Sequence, residues 1–116
     1  MKSNQAFSIK SRIWIYSENG SFLGEGRIEL LQQIETTGSI SKAAKSIKMS
    51  YKKAWELVSS MNAQLGEPLV IGSVGGLNGG GSVLSERGRE AIRLFTELNE
   101  KNKSFLDEEL KKINLL

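Results

Sequence analysis

Apolar and polar residues alternate over 7–16, with Phe7, Ile9, Ile13 and Ile15 on the apolar side, which predicts a strand with one irregularity. Glu18-Asn19-Gly20-Ser21 then reads as a turn, because Asn-Gly readily takes positive φ, and Phe22-Leu23 begins the return strand of a hairpin. After that the period lengthens. Ile28, Leu31 and Ile34 recur every three residues with Leu30 beside them, and Gly38 follows, so a first helix is expected over 26–37. Ser39 or Ser41 can cap a short second helix carrying Lys42-Ala43-Ala44-Lys45-Ser46-Ile47. Ser50 is placed to cap a third, whose apolar positions Ala54, Leu57, Val58, Met61 and Leu65 share one face before Gly66. Leu69-Val70-Ile71 and Ser82-Val83-Leu84 read as two strands joined across a glycine-rich loop, a second hairpin or wing. Residues 85–116, rich in Glu, Lys, Arg and Leu with glycine only at 88, have the composition of a long solvent-flanked helix.

Helix, short helix, tight turn, helix and two-stranded wing is the order of a winged helix-turn-helix. The expected fold is therefore mainly α with small β hairpins, and with a long C-terminal helix for dimerisation. A chain of 116 residues is read as one domain: an N-terminal hairpin over 1–24, a three-helix core over 25–66, the wing over 67–84 and the C-terminal helix over 85–116. No stretch approaches the roughly 20 apolar residues of a spanning helix, and the start of the chain lacks a signal-peptide pattern, so the expectation is a soluble cytoplasmic protein with no membrane partner.

Cysteine and histidine are both absent, which changes the range of possible chemistry. Thiolate and imidazole nucleophiles, iron–sulfur clusters, thiolate zinc sites and most transition-metal sites each need one of them. The expectation is no enzyme, no metal and no cofactor. Glu25, Glu29 and Glu35 read as a solvated helix face, and the run from Gly75 to Ser82 lacks the Gly-Lys-Ser/Thr ending of a phosphate loop.

The net charge of +3 is concentrated: residues 39–66 hold five lysines and one glutamate, whereas residues 85–116 balance seven cations against seven anions. A solvated lysine face is one cause of such a run, and a surface for a polyanion is the other. The winged helix-turn-helix geometry favours double-stranded DNA as the partner, because the third helix would lie in the major groove and the second across the backbone. Projection at 100° per residue puts Lys52, Lys53, Glu56, Ser59 and Ser60 opposite the apolar stripe of the third helix. Lys42 and Lys45 are placed for phosphates, and Ser41 and Ser50 sit near helix N-termini, where exposed amides favour an anion. Tyr51 and Trp55 flank the stripe; Trp55 is expected in the core or at an interface rather than stacked on a base, while for Tyr51 the two readings are even. The reading from another class is a protein-interaction module that keeps the fold without binding DNA.

The runs Thr37-Gly38-Ser39-Ile40-Ser41-Lys42-Ala43-Ala44-Lys45, Met49-Ser50-Tyr51-Lys52-Lys53-Ala54-Trp55, Met61-Asn62 and Gly66-Glu67-Pro68-Leu69-Val70 resemble the DNA-binding domain of ModE-type molybdate-responsive regulators. Gly75-Gly76 through Gly79-Gly80-Gly81 and Leu84-Ser85-Glu86-Arg87-Gly88 extend that resemblance, which covers about residues 10–100, and a more distant one is to LysR-type regulators. The resemblance implies transcriptional regulation, DNA contacts from Ser41, Lys42, Ser50, Tyr51, Lys52 and Lys53, and a wing near the backbone at Gly75, Gly76, Asn78, Gly79 and Gly80. Lys48 stands at the helix-turn-helix corner where related sequences usually have glycine, so a lysine at positive φ is expected there at a cost on the order of 1 kcal/mol. In the family, molybdate sensing belongs to C-terminal modules, and molybdate is not expected to bind this chain alone.

Ala91, Phe95, Leu98, Asn102 and Phe105 are spaced by alternating four and three, flanked by Ile92, Leu106, Leu110 and Ile113. That is a short heptad seam, so Ala91, Phe95, Leu98, Asn102, Phe105 and Leu106 are expected to hold a homodimer together, unless the stripe folds against its own domain.

Overall fold

The computed structural model describes residues 5–72 and 81–115. The elements in chain order are β1 (Trp14–Ser17), β2 (Gly20–Gly24), α1 (Glu25–Thr37), α2 (Ile40–Ser46), α3 (Tyr51–Leu65), β3 (Val70–Gly72), β4 (Ser82–Leu84) and α4 (Glu86–Leu110). The architecture is predominantly helical with two antiparallel hairpins, a winged helix-turn-helix.

The first hairpin is shorter than the alternation implies. Trp14 pairs with Gly24 and Ser17 with Gly20, with a bulge between Ile15 and Tyr16. β2 ends at Gly24, where the chain turns into α1, so residues before Trp14 have no strand to pair with, and the expected strand over 7–16 starts at Trp14. Instead Ser11 meets α4, its Oγ accepting from Asn102 Nδ2 at 3.0 Å.

α1 is the centre of the core. Leu30, Leu31 and Ile34 are fully buried, enclosed by β2, α2, β4 and α4. Gly38 takes φ 71°, a left-handed value that suits glycine, and its N–H donates to Ile34 O at 2.8 Å to close the helix. α2 turns its two alanines, Ala43 and Ala44, inward, and their small side chains let the helix backbones approach. Between α2 and α3, Lys48 adopts φ 58°, the strained corner anticipated from its position. Met49 N–H donates to Ala44 O at 2.9 Å and closes that turn.

The wing is tied to this core from several sides. Val70 pairs with Leu84 and Gly72 with Ser82. Ser82 N–H donates to Gly38 O at 2.8 Å, fixing β4 to the turn before α2. Asn62 on α3 holds the other strand: its Nδ2 donates to Val70 O at 3.0 Å, and its Oδ1 accepts from Leu69 N at 2.8 Å and Val70 N at 3.2 Å. Gly88, in the first turns of α4, lies so close to β3 that a Cβ would sit 2.3 Å from Leu69 O, which leaves room only for glycine.

α4 ends at Leu110, a turn and a half short of the expected terminus. Its buried residues, Gly88, Ala91 and Phe95, all lie in its first half. Ala91 and Phe95, expected in a dimer seam, therefore belong to the core of their own chain, Phe95 at 3% exposure. The heptad spacing identified the stripe but not the side that would be used first by α1 and the wing.

Candidate nucleic-acid interface

Two capped helices present the surface. Ser39, extended at φ −154°, caps α2, its Oγ accepting from Lys42 N at 3.1 Å. That decides between the two serines: Ser41 is the second residue of the helix, exposed, and not its cap. Ser50 caps α3 as anticipated, accepting from Lys53 N at 3.1 Å. The Tyr51 and Lys52 amides, in the first turn of α3, have no helical carbonyl four residues before them to bond to.

Ser41, Lys42, Lys45, Ser50, Tyr51, Lys52, Lys53 and Glu56 are all exposed, on two packed helices joined by the turn at Lys48. Among the described residues no ion pair involves Lys42, Lys45, Lys48, Lys52 or Lys53. Glu56 is likewise free of a cation there. The surface is thus a set of five unneutralised ammonium groups with one carboxylate among them. The wing positions Gly75, Gly76, Asn78, Gly79 and Gly80 lie outside the described residues.

Two positions on α3 differ from expectation, and exposure removes one of the alternatives for a third. Ser60 does not face outward: its Oγ accepts from Arg27 NH1 at 3.2 Å and from Gln64 Nε2 at 2.9 Å, so the hairpin side of the core occupies it. Ser59 is half-buried. Trp55, expected in the core or at an interface, is 53% exposed, because Ala54, Val58 and Met61 already fill the inward face.

Residues that shape the site without facing it escaped the sequence reading. Asn62 aims the wing, and Arg27 braces α1 against α3 through Ser60; burial lowers the pKa of the Arg27 guanidinium, an effect the nearby Tyr16 opposes. Ser85 caps α4 by accepting from Gly88 N at 3.1 Å and donates its own hydroxyl proton to Pro68 O at 2.6 Å. Only the polar character of Asn62, in line with the apolar positions 58, 61 and 65, marks it in the sequence.

On α4 the exposed apolar residues are Leu94, Leu98 and Phe105, the last two at 44% and 62%. With Ile15 of β1 and Leu65 of α3, Leu94 and Leu98 line a groove of about 570 Å³. Leu106 is half-buried and faces instead the N-terminal segment at Ile9–Ser11. Asn102 is engaged by Ser11. Leu94 falls outside the four-and-three spacing of the predicted seam, to which Leu98 and Phe105 belong.

No group of His, Cys, Asp and Glu that could hold a metal ion occurs among the described residues, and none of their helices is long and apolar enough to cross a membrane.

The family model of bacterial regulatory helix-turn-helix proteins of the lysR family matches residues 26–89. The molybdenum transport protein ModE of Azotobacter vinelandii is 38% identical over 104 residues, 90% of this chain and 38% of that protein. The DNA-binding transcriptional dual regulator ModE of Escherichia coli K12 is 42% identical over 74 residues, 64% of this chain and 28% of that one. This chain thus spans between about a quarter and two fifths of the length of these relatives. Among solved structures, a CbnR_DBD–DNA complex superimposes with a TM-score of 0.57 at 17% identity, covering 75% of this chain and 94% of that chain. ArgP from Mycobacterium tuberculosis gives 0.53 at 18%, covering 73% and 30%. These likenesses establish a shared winged helix-turn-helix fold.

Proposed function

This chain belongs to the lysR family of bacterial regulatory helix-turn-helix proteins, and from that premise we propose that it regulates transcription by sequence-specific binding to double-stranded DNA. One observation carries the reading: Lys42, Lys45, Lys48, Lys52 and Lys53 are exposed together on α2, the turn and α3, and none has an ion-pair partner among the described residues. Cations left unneutralised are those that can displace counterions from a phosphate backbone. In this reading α3 enters the major groove. Lys52, Lys53 and Glu56 approach base edges, Tyr51 and the Ser50 hydroxyl stand at the entrance, and Lys42, Lys45 and Ser41 lie along the backbone. The wing, through Gly75, Gly76, Asn78, Gly79 and Gly80, follows the flanking phosphates.

The protein acts in the cytoplasm, and as a homodimer whose contact is the exposed stripe Leu94, Leu98 and Phe105 rather than the buried pair Ala91 and Phe95. Two α3 helices related by a two-fold axis read half-sites about one helical turn apart, so the operator is an imperfect palindrome. Catalysis and a metal or cofactor have no part in this reading. The chain alone does not sense molybdate.

The test is selection of duplexes from a random-sequence pool, followed by salt titration of the selected site. A recurrent palindromic sequence and a steep fall of affinity with salt are expected. Failure to retain any duplex at low salt overturns DNA binding in favour of a protein-docking role. A monomer in sedimentation at tens of micromolar overturns the dimer, and micromolar molybdate binding by calorimetry overturns the last claim.

A further inference from the structure

α3 carries two exposed aromatic residues into the region assigned to DNA. Tyr51 is 56% exposed and Trp55 53%, and at a spacing of four they stand on the same side of the helix, one turn apart. An indole offers one of the largest apolar surfaces of any side chain, and leaving half of it in water is unfavourable unless something covers it. Nothing within the inward stripe of Ala54, Val58 and Met61 does so. The apolar groove on the other side of the molecule is not its partner either. That groove takes Leu65, ten residues further along α3, which is about 15 Å away along the helix axis.

Lys52 and Glu56 border Trp55 on its outward side, beside the half-buried Ser59, and Lys53 lies on another side of the helix. The exposed surface of α2, the turn and α3 as a whole carries five lysines against one glutamate, a setting complementary to a polyanion. Within the major groove almost every group on a base edge is a hydrogen-bond donor or acceptor. The one apolar group is the C5-methyl of thymine. An apolar side chain delivered one turn into the groove, beside Lys52, has that methyl as its apolar complement on a base edge.

We propose that Trp55 is a specificity-determining residue that reads thymine by packing its indole against the C5-methyl in the major groove, with Tyr51 beside it. The inference rests on the DNA-binding reading above and adds to it a base preference that hydrogen bonds from Lys52, Lys53 and Glu56 do not supply.

The experiment uses the full chain and a duplex selected by it. Each thymine is replaced in turn by deoxyuridine, which removes only the methyl group. Replacement of at least one thymine is expected to weaken binding about fourfold, the equivalent of about one buried methyl group. Trp55→Ala should weaken binding to the parent duplex on the order of tenfold, remove the penalty for that deoxyuridine, and leave the salt dependence unchanged, because no phosphate contact is lost. Trp55→Phe should retain part of the methyl preference. If circular dichroism shows that Trp55→Ala does not fold, Trp55→Phe and Trp55→Leu carry the same comparison. Equal deoxyuridine penalties in the parent and in the folded Trp55 variants overturn the proposal while DNA binding stands, as does a parent protein indifferent to every replacement. If the parent protein selects no duplex, the DNA-binding reading fails and this inference falls with it.

Discussion

Residues 39–66 and α4 are both lysine-bearing helical segments, yet they present opposite surfaces. On α2 and α3 the exposed groups are cations without partners. On α4 and the turn after it most cations are neutralised locally, Arg87 with Glu90, Arg93 with Glu97, Lys103 with Asp107, Lys111 with Glu108 and Lys112 with Glu109, while Arg89 and Lys101 have no ion pair among the described residues. Arg87 also reaches Glu67, whose hydrogen bond and then charge raise its pKa above the usual arginine value. Such exposed pairs add little stability, but they weaken the field that would attract a polyanion. What α4 leaves unsatisfied is apolar, at Leu94, Leu98 and Phe105. One region thus exposes unneutralised charge and the other apolar surface, although both contain several lysines. Net charge alone conceals this division.

The largest effect should separate the two sides of α4. Phe95→Asp places a carboxylate in the core, and because truncating a buried phenylalanine already costs about 3–5 kcal/mol, the fold should be lost in thermal unfolding. Leu98→Asp combined with Phe105→Asp should leave helix content and unfolding temperature nearly unchanged while converting dimers to monomers in sedimentation. A folded Phe95→Asp protein would show that α4 does not belong to the core.

Next in size is an exchange of lysines between the regions. Lys42→Ala, Lys45→Ala and Lys52→Ala together should reduce the salt-dependence slope by at least about two units, one for each backbone-facing lysine, and weaken binding about a thousandfold at moderate salt. The same number of changes at Lys103, Lys111 and Lys112 should alter the slope by less than about one unit, since those cations are already paired. Equal slopes in a salt titration would erase the distinction drawn here.

Asn62→Ala tests how the phosphate-facing region is held together. It removes three hydrogen bonds to Leu69 and Val70 and leaves both amides without their Asn62 acceptor, which should cost about 2–3 kcal/mol in denaturant unfolding. Faster amide exchange should appear at residues 69 and 70 while α4 beyond Phe95 is unaffected.

The smallest contrast lies in the two serines of α2. Ser39→Ala should lose about 1 kcal/mol of stability because it removes the cap on Lys42 N. Ser41→Ala should change stability by less than about 0.5 kcal/mol and act on DNA affinity instead. The reverse pattern would reassign the cap.

Much of this was legible before any tertiary structure. The cap at Ser50, the left-handed turn at Gly38 and the positive φ of Lys48 depend on groups within a few residues of one another, so local sequence decides them. The order of helices and hairpins followed from periodicity in the same way. The cluster of lysines was visible too, but not the fact that none of them is neutralised.

Other features depended on which surfaces meet. Alternation over 7–16 could not reveal that β2 ends at Gly24 and leaves the preceding residues unpaired. The projection that put Ser60 outward could not include Arg27, which approaches from 33 residues away. Trp55 looks like a core residue because it is apolar, and its exposure follows from α3 needing only Ala54, Val58 and Met61 to fill the space beside α1 and α2. A hydrophobic period states that a helix has an apolar face; how wide that face is, and which neighbour covers each part of it, is set by the volumes of elements distant in the chain. The sequence by itself therefore determined the local geometry of the helix-turn-helix and the charge it carries. Only the tertiary structure decided that Phe95 lies inside while Leu98 and Phe105 stay out, because burial is a property of packed neighbours and not of spacing.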